Sequence, residues 1–431
     1  MKKIIYTLIT AVFALGGSVS CNVLDQYPHN AVSRDNLSID DLELLYTGLY
    51  CYSQYKPAFE GYFQNDMAGG DFTRGGGASV ATPALWIRDA VLPTSGWSNT
   101  PWVGYYSWLY QVNEFITAAQ GKADDPNVRE MLGGAYFFRG LIYYNLVSKY
   151  RNVQILRQAT NDPIANTTEA EGWAFVEENL NNAINMCPNF VNKNYVSIQA
   201  AKALMARAKL AQAKKSEAAE LAIELINDPV FGLEDFELIF RGEENKEEIF
   251  TFINSAEESG INFATQFYQP ATTYVPTREM IDLYVGTDKR TNISVMKDGD
   301  ATVLNKYNNI TSTNPIIITR LAEMYLIAAE GKGVAGGGIK YLNDLRAKRG
   351  LAPISPSPTN DEELVTAVLN ERRLEFLGEG FRWFDLVRTG RFAERFSEEK
   401  GEPLSEKYTV FPIPQKQIDL NPNLAQNELW K

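Results

Sequence analysis

The chain has 431 residues, with 41 Lys and Arg against 53 Asp and Glu and a formal net charge of −12. No Lys and Arg cluster relieves that acidity, which argues against a polyanionic partner and sets nucleic acid aside. The length suits one large domain or two intimately packed ones. The one histidine, His29, stands so early that the rest of the chain lacks the commonest proton shuttle and metal ligand.

Residues 1–20 read as an export signal: Lys2 and Lys3, an apolar stretch from Ile4 to Leu15, then Gly16, Gly17, Ser18, Val19 and Ser20 before Cys21. The apolar stretch falls short of the ~20 residues that span a bilayer. A cysteine directly after small residues resembles the bacterial lipobox, so Cys21 is the expected lipidation site, with palmitate among its acyl groups. Ser18 occupies a position where the commonest pattern has Leu, which leaves ordinary secretion with cleavage nearby as the alternative. Two or more acyl chains hold a protein on a membrane where one chain binds reversibly. Cys51 and Cys187 remain, and two separate buried thiols are expected in preference to a disulfide.

Residues 21–38, with Pro28, Asn30, Ser33 and Asn36 and little periodicity, read as a tether. Helical spacing begins at Asp40 and runs to Tyr55. It returns from Thr100 to Ala119 with Trp102, Tyr105, Tyr106, Leu109, Val112 and Phe115 on one broad face. Residues 66–99, rich in Gly, Thr, Ser and Pro, predict a long loop of the kind that carries function. Asp125 and Pro126 open a helix through Val128, Met131, Ala135, Phe138 and Ile142. Further helices follow along Trp173, Val176, Leu180 and Ala183, and along Ala201, Leu204, Ala208 and Ala211. Ala135 and Ala201 lie 66 positions apart, about twice the ~34-residue period of tetratricopeptide units. Residues 39–253 therefore form the expected helical-repeat portion, ending in a short strand at 247–253. From 254 to 315 the helical period fades into Thr, Asn, Gly and aromatic residues. Helices are expected again at 317–330, 338–348, 361–377 and 381–389, with Gly350, Gly378 and Gly390 at their C-terminal caps. The fold class is mainly α: a tetratricopeptide-like helical-repeat scaffold with a packed irregular lobe, the second portion spanning 254–431.

The last 120 residues carry the most specific strings: ITRLAEMYLIAAE at 318–330, YLNDLRAKRGL at 341–351, NERRLEFLGEGFRWFDLVRTGR at 370–391 and FPIPQKQIDLNPNLAQN at 411–427. Together they resemble the SusD/RagB family, whose tetratricopeptide portion the helices at 102–119, 128–148, 171–187 and 198–213 also match. The resemblance implies an outer-membrane, lipid-anchored, cell-surface protein that captures a nutrient, most often a glycan. It implies delivery to a SusC-like TonB-dependent transporter, with the helical face docked on the barrel and the irregular lobe with the 66–99 loop as ligand mouth. It implies neither an enzyme nor a cofactor. A peptide or other non-glycan nutrient is the alternative ligand, and a carboxylate-dependent glycoside hydrolase is an alternative of a different class.

Glu371, Arg372, Arg373, Glu375, Glu379, Arg382 and Asp385 form the densest charged cluster. Glu375 and Glu379 do not read as an acid/base pair, because a general acid needs a raised pKa and three arginines nearby favour ionised carboxylates. A structural ion-pair network is expected there, and the same reading pairs Arg320 with Glu323 and Arg346 with Asp344. No G-x-S-x-G elbow, Walker loop or H-E-x-x-H occurs, which leaves two apposed carboxylates as the one hydrolytic chemistry open. Asp298, Gly299 and Asp300 lack the further oxygen ligands of a calcium loop and read as an acidic turn, so no metal site is expected.

Glycans present flat C–H faces beside hydroxyls, so a capture site wants exposed aromatic planes with amides or carboxylates on loops. Trp97 with Asn99, at the end of the Gly-rich stretch, fits best. Tyr62, Phe267, Tyr268 and Tyr274 are further candidates from irregular segments. Core packing is the competing reading for each of them.

Overall fold

Most of the long helices begin where a side chain accepts their first free N–H groups, which intrahelical bonds leave unsatisfied. The computed structural model describes residues 37–53, 64–75, 87–88, 90–255, 257, 262–268, 274–311, 313–397 and 404–431. The export signal, Cys21, most of the tether and Tyr62 lie outside the described residues.

Helix α1 spans Ile39–Ser53, α2 Gly96–Ala119, α3 Pro126–Tyr150, α4 Glu169–Met186, α5 Ile198–Ala211 and α6 Lys215–Ile226. The later helices are α7 Leu321–Lys332, α8 Gly338–Lys348 and α9 Asp361–Glu375. Asp125 caps α3 by accepting from the N–H groups of Asn127 and Val128, with Pro126 at the first helical position. Thr168 and Glu171 form a reciprocal capping box at α4. Ser197 caps α5 and Asn360 caps α9. Gly350, Gly378 and Gly390 all take positive φ, as the helix ends they follow require.

From α2 to α7 each helix packs on the next, and α7 then carries α8 and α9. Residues 227–320 leave this stack after α6 and return to it at α7. Glycine sets the closeness of α3 and α4. A Cβ on Gly140 would lie 2.7 Å from Leu180 Cδ2, and one on Gly172 would lie 2.7 Å from Val147 Cγ2. Ala135 and Ala201 are fully buried, consistent with the tight helix contacts their size permits.

Among the described residues, three two-stranded antiparallel ribbons accompany the helices: β1 Phe72–Arg74 with β3 Tyr274–Pro276, β2 Glu248–Phe252 with β6 Ile316–Arg320, and β4 Met296–Asp298 with β5 Ala301–Val303. Asp298 pairs with Ala301, so Gly299, at φ 60°, and Asp300 are the tight turn of a hairpin. Phe250 and Phe252 of β2 meet Phe137 and Phe138 of α3 at ring-centre distances of 5.1 and 5.9 Å, which seats the β2–β6 ribbon on the helical core.

Four points differ from the expectations. Residues 316–320 are strand β6 and the helix starts at Leu321, because Ile316 to Arg320 pair with β2. Helix α6 had no counterpart in the sequence reading. Residues 66–99 are not one loop: helical turns cover 64–69, β1 follows, and α2 begins at Gly96. No disulfide joins Cys51 and Cys187; the first is half-buried, not buried as expected, and the second is buried.

Candidate functional site

The charged cluster is a buried network with Glu375 at its centre. Its carboxylate receives Arg320 at 2.6 Å, Arg349 at 2.7 Å and Arg290 at 2.9 Å. Glu379 takes Lys306 at 2.7 Å and Arg320 at 2.9 Å, and Glu247 bridges Arg349 and Arg320 at 2.6 and 2.9 Å. Burial pushes the Glu375 carboxyl up, but Arg349, Arg320 and Arg290 outweigh it and hold the group well below the usual carboxylate range. Glu379 is likewise lowered, its burial outweighed by Arg320 and Lys306. Neither carboxyl holds a proton to donate near neutral pH, so the pair is structural. Two expected partnerships differ: Arg320 serves Glu375, Glu379 and Glu247 while Glu323 pairs with Arg207, and Arg346 pairs with Glu371 while Asp344 pairs with Lys340.

Trp97 and Asn99 sit in the first turn of α2, behind the Ser95 cap, rather than on the loop before it. Pro101 has no N–H to give the carbonyl of Trp97 four residues earlier. Gln64 Nε2 donates to that carbonyl instead, at 2.9 Å. The indole is half-buried against the core. Asn99 Oδ1 accepts from Gln417 Nε2 at 3.0 Å.

Gln417 in turn lines a groove of about 630 Å³ between α2, residues 154–163 and residues 417–424. Val103, Tyr106, Ser107, Tyr110 and Gln111 form one stripe of α2 along it, at helical spacing. Tyr110 is 42% exposed and Leu420, on the facing segment, 71%. The three walls are tied by amides and a phenol. Tyr106 OH donates to the Gln154 carbonyl at 3.1 Å, and Asn421 Nδ2 donates to the Ile164 carbonyl at 2.8 Å. The side-chain amides of Gln111 and Asn161 make no hydrogen bond among the described residues and are open to the groove. The site thus combines exposed aromatic and aliphatic faces with uncommitted amides, in a volume that suits a small ligand.

The other candidates gather around the β1–β3 ribbon. Phe267 is fully buried, 5.2 Å from Phe72 and 5.8 Å from Tyr307 between ring centres, so it packs the core and offers no face to a ligand. Tyr274 is also buried, and burial pushes its phenol up to about 12. Both are corrected to core residues. Tyr268 caps the short helix Phe263–Phe267 and is half-buried. The helical turns at 64–69 connect the two regions, since Gln64 reaches Trp97 and β1 follows three residues after the turns end. The sequence reading missed Tyr110, Gln111 and Asn161. The stripe on α2 was present in the sequence, hidden because the opposite face of the same helix is also aromatic.

A family model described as the SusD family matches residues 143–430, and one described as "Starch-binding associating with outer membrane" matches residues 23–210. Among curated proteins, the chain is 35% identical to SusD-like protein P38 of Formosa agariphila over 129 residues, 28% of this chain and 25% of that protein. It is 23% identical to SusD-like protein P2 of the same organism across 99% of both chains. Among solved structures, surface glycan-binding protein A from Bacteroides uniformis superposes with a TM-score of 0.79 at 22% identity, covering 91% of this chain and 100% of that one. On the strength of the family match across residues 143–430, the chain belongs to the SusD/RagB family.

Proposed function

We propose that this protein captures an oligo- or polysaccharide at the outer membrane, holding it by stacking and hydrogen bonds without covalent change. The observation that carries the reading is the α2 groove. Tyr110 and Leu420 offer apolar faces to sugar C–H groups, and the amides of Gln111 and Asn161 offer both donors and acceptors to sugar hydroxyls. Trp97 and Asn99 extend that chemistry beyond the Gln417 end of the groove. The glycan-binding name of the Bacteroides uniformis neighbour and the starch-binding family description support the same ligand class. Lipid on Cys21 would keep the protein at the outer membrane, facing the cell surface beside a SusC-like TonB-dependent transporter, where tethering favours repeated docking.

A screen of immobilised glycans and peptide mixtures with the full chain in detergent tests this reading. Retention on at least one glycan and on no peptide is expected, with retention reduced at least fivefold by Trp97→Ala. Retention on peptides alone would overturn the glycan assignment. Appearance of shortened products after incubation with the retained glycan would establish an enzyme instead. A Cys21→Ala variant still recovered with the outer membrane in cells lacking the transporter would remove the lipid anchor from the picture.

A further inference from the structure

A second cavity, of about 190 Å³ and partly enclosed, lies between α3, α5 and the short helix Arg382–Arg388, on residues the groove does not use. Its lining holds four guanidinium groups, Arg151, Arg207, Arg372 and Arg388, against three carboxylates, Glu169, Glu323 and Asp385. Most of this charge is already spent. Both oxygens of Glu323 take Arg207, at 2.7 and 2.6 Å, and the two oxygens of Asp385 take Arg372 at 2.6 Å and Arg388 at 2.9 Å.

Glu169 is exposed and accepts from Trp173 Nε1 at 3.3 Å, so what remains unmatched and buried is on the donor side. Arg372, 4% exposed, has a buried Nη1 without a hydrogen-bond partner, and the buried Oγ of Ser148 on the same lining also has none. Buried polar atoms are nearly always partnered, and two such atoms on one small cavity point to an absent acceptor. Arg151 adds a cation. It bonds Thr409 Oγ1 at 3.2 Å and has no carboxylate within ion-pair distance among the described residues. Its backbone has φ 59° and ψ −75°, and Asn152 N–H donates to the Tyr150 carbonyl around it at 2.8 Å. That is a γ-turn of the strained hand, which a non-glycine residue adopts rarely.

We propose that this cavity binds one carboxylate-bearing sugar unit, a hexuronate, with its acid group taken by Arg372, Ser148 and Arg151. The acid group supplies the missing acceptors and gives Arg151 a carboxylate partner, whereas Arg388 already takes Glu330 at 2.9 Å as well as Asp385. Trp173 and Phe384 on the lining supply apolar surface for the ring. An amino acid fits less well, because Glu323 and Asp385 have each oxygen committed to an arginine, and the remaining carboxylate, Glu169, is exposed to solvent and accepts from Trp173 Nε1 at 3.3 Å. The inference goes beyond capture in the α2 groove and does not depend on it.

Calorimetric titration of the full chain in detergent with glucuronate, glucose, acetate and phosphate tests it. Glucuronate is expected to bind at least tenfold more tightly than each of the other three. Arg372→Met is expected to abolish that binding, but it also removes one of the two arginines on buried Asp385 and so puts folding at risk. Ser148→Ala and Arg151→Gly leave the Asp385 pairs intact. Each is expected to weaken glucuronate at least threefold with glycan retention unchanged, and Arg151→Gly is expected to keep or raise the melting temperature. Glucuronate binding no tighter than glucose, phosphate binding tighter than glucuronate, or undiminished binding in both Ser148→Ala and Arg151→Gly would each overturn the proposal. Because neither Trp97 nor the groove residues line this cavity, the glycan screen reads a different site, and failure here leaves the glycan reading standing.

Discussion

Gln64 hydrogen-bonds the carbonyl of Trp97 that Pro101, one turn further along α2, is chemically unable to reach. The proline thus creates an acceptor, and a side chain from a separate helical turn satisfies it. Gln64→Leu is expected to cost about 1–2 kcal/mol, the penalty of a part-buried carbonyl left without its donor. In a Pro101→Ala background the helix recovers its own N–H and the same substitution is expected to cost well under half as much. A double-mutant cycle by urea unfolding measures the difference. Equal costs in both backgrounds would show that Gln64 matters for some other reason.

Tyr110 is exposed and has no ring partner among the described residues, so its loss removes groove surface without opening the core. Tyr110→Ala is expected to change stability by less than about 0.5 kcal/mol. It is expected to reduce glycan affinity at least fivefold. Asn161→Ala is expected to act in the same direction and more weakly, since an exposed amide loses one or two hydrogen bonds already in competition with water. Affinity electrophoresis against the glycan found in the screen reads both. A Tyr110→Ala variant that migrates as the parent protein would place the ligand elsewhere.

The Glu375 network predicts both a mutant and an acid limit. Glu375→Gln leaves Arg320, Arg349 and Arg290 facing a neutral amide, and removal of one partner from such a buried set costs about 3–5 kcal/mol. Because the folded-state pKa values of Glu375, Glu379 and Asp385 lie below their ordinary ones, the stability they confer is complete above the unfolded-state range. It is lost as pH falls below about 4.5 toward their folded values. Denaturant midpoints between pH 3 and pH 6 check this, with a steep fall at the acid end expected for the parent. A smaller acid loss is expected for Glu375→Gln.

Asp66 has the opposite sign. Burial pushes its carboxyl up to about 8 from an ordinary 3.8, although the N–H groups of Gly380 and Arg382 donate to it, and Asp71 adds to the rise. Between those two values the unfolded chain has released a proton that the folded chain keeps. Stability therefore falls as pH rises through that window, by at most about 1.4 kcal/mol per pH unit. Asp66→Asn removes that slope. The stability difference between variant and parent is expected to grow in favour of the variant from pH 5 to pH 8 and to level off above it. A difference independent of pH would show that Asp66 is ionised throughout.

The helices were legible because their contacts are local: the spacing of Val128, Met131, Ala135 and Phe138 is read without knowing what they touch. Strand β6 was not. Ile316, Ile317 and Ile318 run without a break into the apolar face of α7, and only pairing with β2, some seventy positions earlier, decides where strand ends and helix begins. The ion network shows the same divide. The Glu371 to Asp385 cluster was visible, while its partners Glu247, Arg290, Arg320 and Arg349 come from distant segments. Near the groove, the chemistry of Trp97 makes it a candidate from sequence, while its place in the first turn of α2 depends on the Ser95 cap, which local composition hides. Tyr110 was missed because both faces of α2 carry aromatics, and exposure distinguishes them only once α3 covers one side.

Close approach between helices yields the last prediction, a pair of glycine substitutions of opposite sign. A Cβ at Gly133 in α3 would stand 2.6 Å from the backbone nitrogen of Cys187 and 2.8 Å from the carbonyl carbon of Met186. These are main-chain atoms at the end of α4 that cannot rotate aside, so Gly133→Ala is expected to destabilise by about 1–3 kcal/mol through forced separation of the two helices. Gly48 in α1 has nothing within 4 Å of the same added atom. There the methyl group meets open space, and the gain in helix propensity over glycine, up to about 1 kcal/mol, is uncontested. Gly48→Ala is accordingly expected to raise the melting temperature by a few degrees while Gly133→Ala lowers it. Thermal unfolding of both variants beside the parent decides the matter, and a neutral Gly133→Ala would mean that α3 and α4 are packed less tightly than these distances require.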